Sequence, residues 1–220
     1  MRKIVVIFLC FSLFSNINVF SQESIYGFLA LPSGDFGNNS GEGAGYAETG
    51  FGISAEYTKA IGTEGLGWVT SISIILNPHD ESGLKEFLIE EFGMPDDGVV
   101  KTKSTMSFPV LTGLKYQADI SGHIEVFGAL QAGLNFIKPG NRGVTVGGES
   151  WGMEFDIYTS FGFSVGGGLI FYERFNIGFR YFGLGEPELE STITNLDGNS
   201  RIEKFDQKVG ALAITLGVNF

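Results

Sequence analysis

The sequence predicts an all-β chain, an eight-stranded antiparallel up-and-down transmembrane β-barrel, and three observations carry that expectation. The chain closes on a run of period two, Lys208 to Phe220, in which Leu212, Ile214, Leu216, Val218 and Phe220 alternate with Ala211, Ala213, Thr215, Gly217 and Asn219. Its greasy face continues to the last residue, where soluble chains fray, and stops on an aromatic ring of the kind that anchors at a membrane interface. Most other runs set an apolar face against glycine, serine and charge, which cannot build a core, so the apolar face must meet lipid. The connections between runs also alternate long and short, as in barrels with long external loops and short periplasmic turns.

Eight runs have the roughly 9 to 11 residues, or more, of a membrane strand. They are Ser24 to Leu31, Gly50 to Ala60, Gly67 to Leu76, Thr105 to Ala118, Gly122 to Ile137, Phe155 to Phe171, Phe175 to Phe182 and Lys208 to Phe220. In the second, Phe51, Ile53, Ala55 and Tyr57 oppose Gly52, Ser54, Glu56 and Thr58. In the fifth, Ile124, Val126, Leu130, Leu134 and Phe136 oppose His123, Glu125, Gln131 and Asn135. The sixth sets Phe161, Phe163 and Val165 against Ser160, Gly162 and Ser164, while the first and third runs alternate poorly.

Long connections (Pro32 to Thr49, Asn77 to Ser104, Lys138 to Glu154, Gly183 to Gln207) alternate with short ones (Ile61 to Leu66, Asp119 to Ser121, Tyr172 to Arg174). The last two long loops read as ribbons that prolong their strands, turning at Gly147-Gly148 and Asp197-Gly198. Leu84, Phe87, Leu88 and Phe92 recur at helical spacing over Glu81 to Phe92, which predicts a short amphipathic helix lying against the rim or the lipid.

Met1 to Ser21 reads as an export leader: Arg2 and Lys3 precede the apolar Ile4 to Phe14, and Val19 and Ser21 stand before a cut that leaves Gln22 to Phe220 as the barrel domain. Its removal takes the 14 basic residues to 12 against 25 acidic ones, a net charge of −13, which repels nucleic acid. Cys10, the single cysteine, leaves with the leader, so no disulfide or thiol chemistry is expected.

With leader, strands, alternating loops and the closing ITLGVNF in place, the chain from Glu23 to Phe220 resembles the small outer-membrane β-barrels of OmpA/OmpX type in stand-alone form. That resemblance implies residence in a bacterial outer membrane, contact with its lipid, and insertion by the barrel-assembly machinery. The closing residues Leu212, Ile214, Leu216, Val218 and Phe220 would act as the assembly signal. It does not choose among adhesins, envelope stabilisers, lipid-modifying enzymes and narrow channels.

Lumen-facing charge is the most informative constellation. Glu56, Lys115, Glu125 and Arg180 lie on the polar faces of their strands, two of each sign. Pairing outward from Ile120 sets Lys115 opposite Glu125, and pairing outward from Glu173 sets Arg180 opposite Gly166, within reach of Glu56. Paired charges would plug a barrel of this width.

His79, Asp80, Glu81 and Ser82 could be searched for an acid–base site, but consecutive residues after Pro78 say turn. Asn195, Asp197, Asn199 and Glu203 depart from calcium-loop spacing and read as a hairpin turn, and no helix follows Gly166-Gly167-Gly168 to make a phosphate cradle. No metal, cofactor or catalytic residue is therefore assigned. The expected protein is a non-enzymatic barrel with a plugged lumen, whose loops contact lipid, surface polymer or an unspecified protein ligand. A narrow channel for small or apolar solutes is the alternative, and a lipid-modifying enzyme the third reading.

Overall fold

The structure, a computed structural model, describes residues 21–39, 44–62, 65–194 and 200–220. All of the expected Met1 to Ser21 leader but Ser21, the Asp197-Gly198 turn and the would-be calcium loop at Asn195, Asp197 and Asn199 lie outside the described residues. In chain order the strands are β1 (Ser21–Ser33), β2 (Gly50–Ala60), β3 (Leu66–Asn77), β4 (Val99–Thr102), β5 (Thr105–Asp119), β6 (Ile124–Lys138) and β7 (Arg142–Val146). There follow β8 (Glu149–Phe155), β9 (Tyr158–Phe171), β10 (Phe175–Gly185), β11 (Glu188–Thr194), β12 (Ser200–Asp206) and β13 (Val209–Asn219). One helix, α1, covers Glu81–Phe92.

Eight strands close a barrel in the order β1-β13-β10-β9-β6-β5-β3-β2, every neighbour antiparallel. The last strand seals it, pairing Ile25 with Val218 and Leu31 with Leu212. Alternation then decides what each residue meets. Phe51, Ile53, Leu130, Leu134, Phe161, Phe179, Ile214 and Leu216 are exposed on the outer wall, while Ser54, Glu56, Ser71, Gln131, Ser164 and Thr215 are buried inside.

The remaining strands form a second sheet, β12-β11-β8-β7-β4. Each continues a barrel strand across one half of the wall, which is why its order repeats that of β13-β10-β9-β6-β5. The two expected ribbons are thus joined side by side, Ser191 pairing with Phe155 and Ile193 with Met153. At the β7–β8 turn Gly147 and Gly148 take φ of 60° and 88°, the left-handed pair that a two-residue hairpin needs.

α1 sits elsewhere than expected. Asp80 caps its start, accepting from the Gly83 N–H, and Gly93 at φ 64° ends it. Leu84 packs with Tyr46, Met94, Val100 and Val144, and Phe87 and Leu88 lie against that cluster. These residues of the stripe pack against the cap sheet and the first loop instead of rim or lipid.

Candidate functional site

The inward faces fill the lumen in layers. Nearest the short turns, Asn219 Oδ1 accepts from Ser24 Oγ and Asn176 Nδ2, both at 2.9 Å. Above them lies the charged layer. Glu56 Oε2 is 2.7 Å from Arg180 Nη2, Glu56 Oε1 is 3.2 Å from Lys115 Nζ, and the Tyr26 hydroxyl donates to Oε1 at 3.3 Å. All four residues are buried. The cations also meet rings: Lys115 Nζ is 5.2 Å from the Phe127 centroid, and the Arg180 guanidinium carbon 5.7 Å from that of Tyr26. Such charges persist out of water only because each is paired and hydrogen-bonded.

Next come hydroxyls and an amide, with Ser71 and Ser164 both donating to Gln131 Oε1 at 3.2 and 3.1 Å. The end toward the long loops is apolar. Phe28, Ile75, Leu111, Ile137, Phe182 and Leu184 pack together there, and Phe36, on a 3-10 turn over Gly34–Gly37, is pushed into the mouth until 2% remains exposed. The turn is held by the Phe36 N–H on the Lys208 carbonyl at 3.1 Å and the Ala47 N–H on the Phe36 carbonyl at 3.0 Å.

The sequence expectations are met unevenly. Arg180 lies opposite Gly166 and reaches Glu56. Lys115 does not meet Glu125; it lies opposite Ala129 and crosses the lumen to Glu56, while Glu125 takes the Gln117 amide at 3.1 Å. The turn is the reason. Ile120 donates to the Ile124 carbonyl at 2.8 Å and Gly122 takes φ 49°, so the hairpin pivots at Gly122 and Asp119 faces Glu125. The shift is even in residues, so both side chains stay inward and only the partners change.

The expectation that the hidden face cannot build a core fails in the outer half. There the poorly alternating first and third runs supply Phe28 and Ile75 to the lumen, and the third adds Val69 nearer the short turns. Tyr26, Phe28 and Phe182 complete the site without standing out in the sequence; the poor alternation of the first run is the signal for the first two, and the adjacent rings Tyr181 and Phe182 for the third. Leu212, Ile214, Leu216, Val218 and Phe220 all fall on the outward side of the last strand and its end. At the short-turn mouth a cleft of about 340 Å³ is lined by Gln22, Thr58, Gln117, Asp119 and Glu125, and Gln22 Oε1 lies 3.5 Å from Lys115 Nζ.

Above the rim three loops meet at His79. Its Nδ1 lies 2.8 Å from the Lys103 carbonyl and its Nε2 3.3 Å from Thr105 Oγ1, which accepts from the Gly140 N–H at 3.1 Å. Both ring nitrogens are therefore engaged: Nδ1–H donates and Nε2 accepts. Burial, then the charge of Arg142, pushes its pKa down to about 4. Ser82 lies exposed on α1 and makes no contact with this ring.

No protein-family model matches the sequence, nor does any curated protein. Solved structures do. Neisserial surface protein A is similar at 14% identity over 90% of this chain and 95% of its own, with a TM-score of 0.52. A major outer-membrane protein from Thermus thermophilus matches at 8% identity over 91% and 99%, with a TM-score of 0.51. The attachment invasion locus protein Ail of Yersinia pestis matches at 16% identity over 93% and 100%, with a TM-score of 0.45. The first two share this chain's fold, a closed eight-stranded antiparallel β-barrel.

Proposed function

We propose, from that fold, that this chain is an outer-membrane barrel of structural or surface-interaction type: its wall meets lipid, its lumen is closed by side chains, and its cap is the contact surface. The observation that carries the reading is the outer wall itself. Along β6 outward residues run apolar from Val126 to Phe136, ending at Lys138. Ten rises of about 3.3 Å each, tilted by roughly 40°, give a band about 25 Å tall, the height of the hydrocarbon-facing belt in such barrels. Trp68, Tyr116 and Tyr172 stand exposed toward the short-turn end, where ring-bearing residues settle at an interface.

Exposed apolar area of this extent has no place on a soluble surface. The partners are outer-membrane lipid, the barrel-assembly machinery acting on the outward residues of β13 and Phe220, and a surface ligand at the cap. The reading is non-enzymatic, supported by a His79 whose two nitrogens are already occupied. It has the leader cut after Ser21, which would leave Gln22 paired with Thr58 and the rest of β1 in place.

Surface proteolysis tests it. Protease added to whole cells should cut within 78–104 or 186–207 and spare 119–124, and purified protein in planar bilayers should pass no steady current. Cleavage at 119–124 in intact cells would reverse the orientation, and steady ion-selective currents would promote the narrow-channel reading.

A further inference from the structure

The cap holds a half-buried cation, with its Nε wholly buried, that the lumen does not explain. Arg142, the first residue of β7, turns toward α1 with Val144, its pairing partners being Thr102 and Met153. Its Nη2 donates to the Gly45 carbonyl at 3.1 Å, and its guanidinium carbon stands 6.0 Å from the Tyr46 ring centroid. Among the described residues no carboxylate pairs with it. Among the described residues its Nε–H is buried without a partner, and so is the hydroxyl of Tyr46.

Tyr46 is itself unusual. It is 2% exposed, yet holds φ at 56°, a left-handed conformation that a bulky residue adopts only when its surroundings fix it there. What fixes it is a clamp: Tyr46 N–H donates to the Asn38 carbonyl at 3.0 Å and Asp80 N–H to the Tyr46 carbonyl at 2.7 Å, while the Phe87 ring of α1 lies tilted against it at 6.0 Å. Two orphan donors, one of them charged, therefore belong to side chains whose guanidinium carbon and ring centroid stand 6.0 Å apart.

We propose that Tyr46 and Arg142 form a binding site for a small, weakly hydrated anion of halide class, held between the Tyr46 O–H and the Arg142 Nε–H beneath α1. Charge supports an anion over a neutral occupant. A guanidinium whose Nε–H is withdrawn from water and whose named partner is one carbonyl bears a desolvation cost that a negative charge offsets and a water does not. The local potential is positive: Arg142 helps to depress His79, and burial pulls Arg142's own pKa down. Asp80, the nearest acid named against Tyr46, is engaged in capping Gly83 and accepts from Asn39 Nδ2 at 3.5 Å. Glu81 is taken by the Thr102 N–H at 2.8 Å, and Lys103 offers its carbonyl to His79.

Size and hydration select the class. Leu84, Met94, Val100 and Val144 wall the cluster, so an ion with a tightly held water shell would lose more hydration than two donors return.

Bromide is the probe. Crystals of the full chain soaked in sodium bromide should show an anomalous peak within hydrogen-bonding distance of Arg142 Nε and Tyr46 Oη. In detergent at constant ionic strength, replacing gluconate by bromide should raise the NMR titration midpoint of His79, because an anion beside Arg142 cancels part of the charge that depresses it. Tyr46→Phe keeps the ring and removes the donor, so the bromide concentration needed for half the His79 shift should rise about tenfold. Arg142→Gln should abolish the shift. An indifferent His79 midpoint, a water at the site with no anomalous signal, or a carboxylate of this chain on both donors would each overturn the proposal.

Discussion

Glu56 is the residue whose loss the barrel should feel most, since one carboxylate answers both Lys115 and Arg180. Glu56→Gln would leave two buried cations facing each other, a change that costs about 3–5 kcal/mol in buried pairs. The urea midpoint of the folded, heat-modifiable band should fall accordingly. Glu125→Ala removes only an amide contact from Gln117 and should shift the same midpoint by about 1 kcal/mol or less. Comparable losses in the two variants would restore the Lys115–Glu125 pairing that the sequence suggested. His79 gives the cap a pH dependence of definite sign. Its folded pKa of about 4 lies below the ordinary 6.5, so protonation favours the opened cap. Stability is full above pH 6.5, declines as pH falls toward 4, and loses about 3 kcal/mol across that window. Protection factors in 78–104, taken against the intrinsic exchange rate at each pH, should fall from pH 7 to pH 4 and change little in His79→Gln, with those of the barrel strands unchanged.

At the scale of elements, what was legible followed from periodicity, and what was not depended on packing at a distance. Period two marked the faces of β2, β6, β9 and β13 because lipid outside and polar lumen inside demand opposite chemistry. It blurred in β1 and β3, since Phe28 and Ile75 are apolar on the inward side as well. Inward parity for Glu56, Lys115, Glu125 and Arg180 was equally plain. The partner of Lys115 was not, because a turn pivoting at Gly122 instead of Ile120 leaves no trace in alternation. The apolar stripe of α1 was visible, but its cover comes from Tyr46, Val100 and Val144, far away in sequence. Phe87→Ser with Leu88→Ser should therefore loosen the cap, raising protease sensitivity in 78–104 several-fold, and leave heat-modifiability of the barrel intact. Loss of the barrel band would mean that the cap and barrel fold as one unit.

For the molecule as a whole, closure rests on two seals of different physics set in series. The inner seal is ionic, Glu56 with Lys115 and Arg180; the outer is apolar, with Phe28 and Phe182 stacked at 5.7 Å under Phe36. An apolar constriction excludes ions by dewetting even where its walls contain no charge. Breaking the ion cluster alone then admits water only as far as Phe28. Glu56→Gln should stay silent in planar bilayers, and so should Phe28→Ser with Phe182→Ser, where paired charges still occupy the inner half. The three substitutions together should give small transient currents, anion-favouring because Lys115 and Arg180 would line the opened path without a counter-charge. Conductance from Glu56→Gln by itself would show that the aromatic layer is permeable and that the ionic seal alone holds the lumen shut.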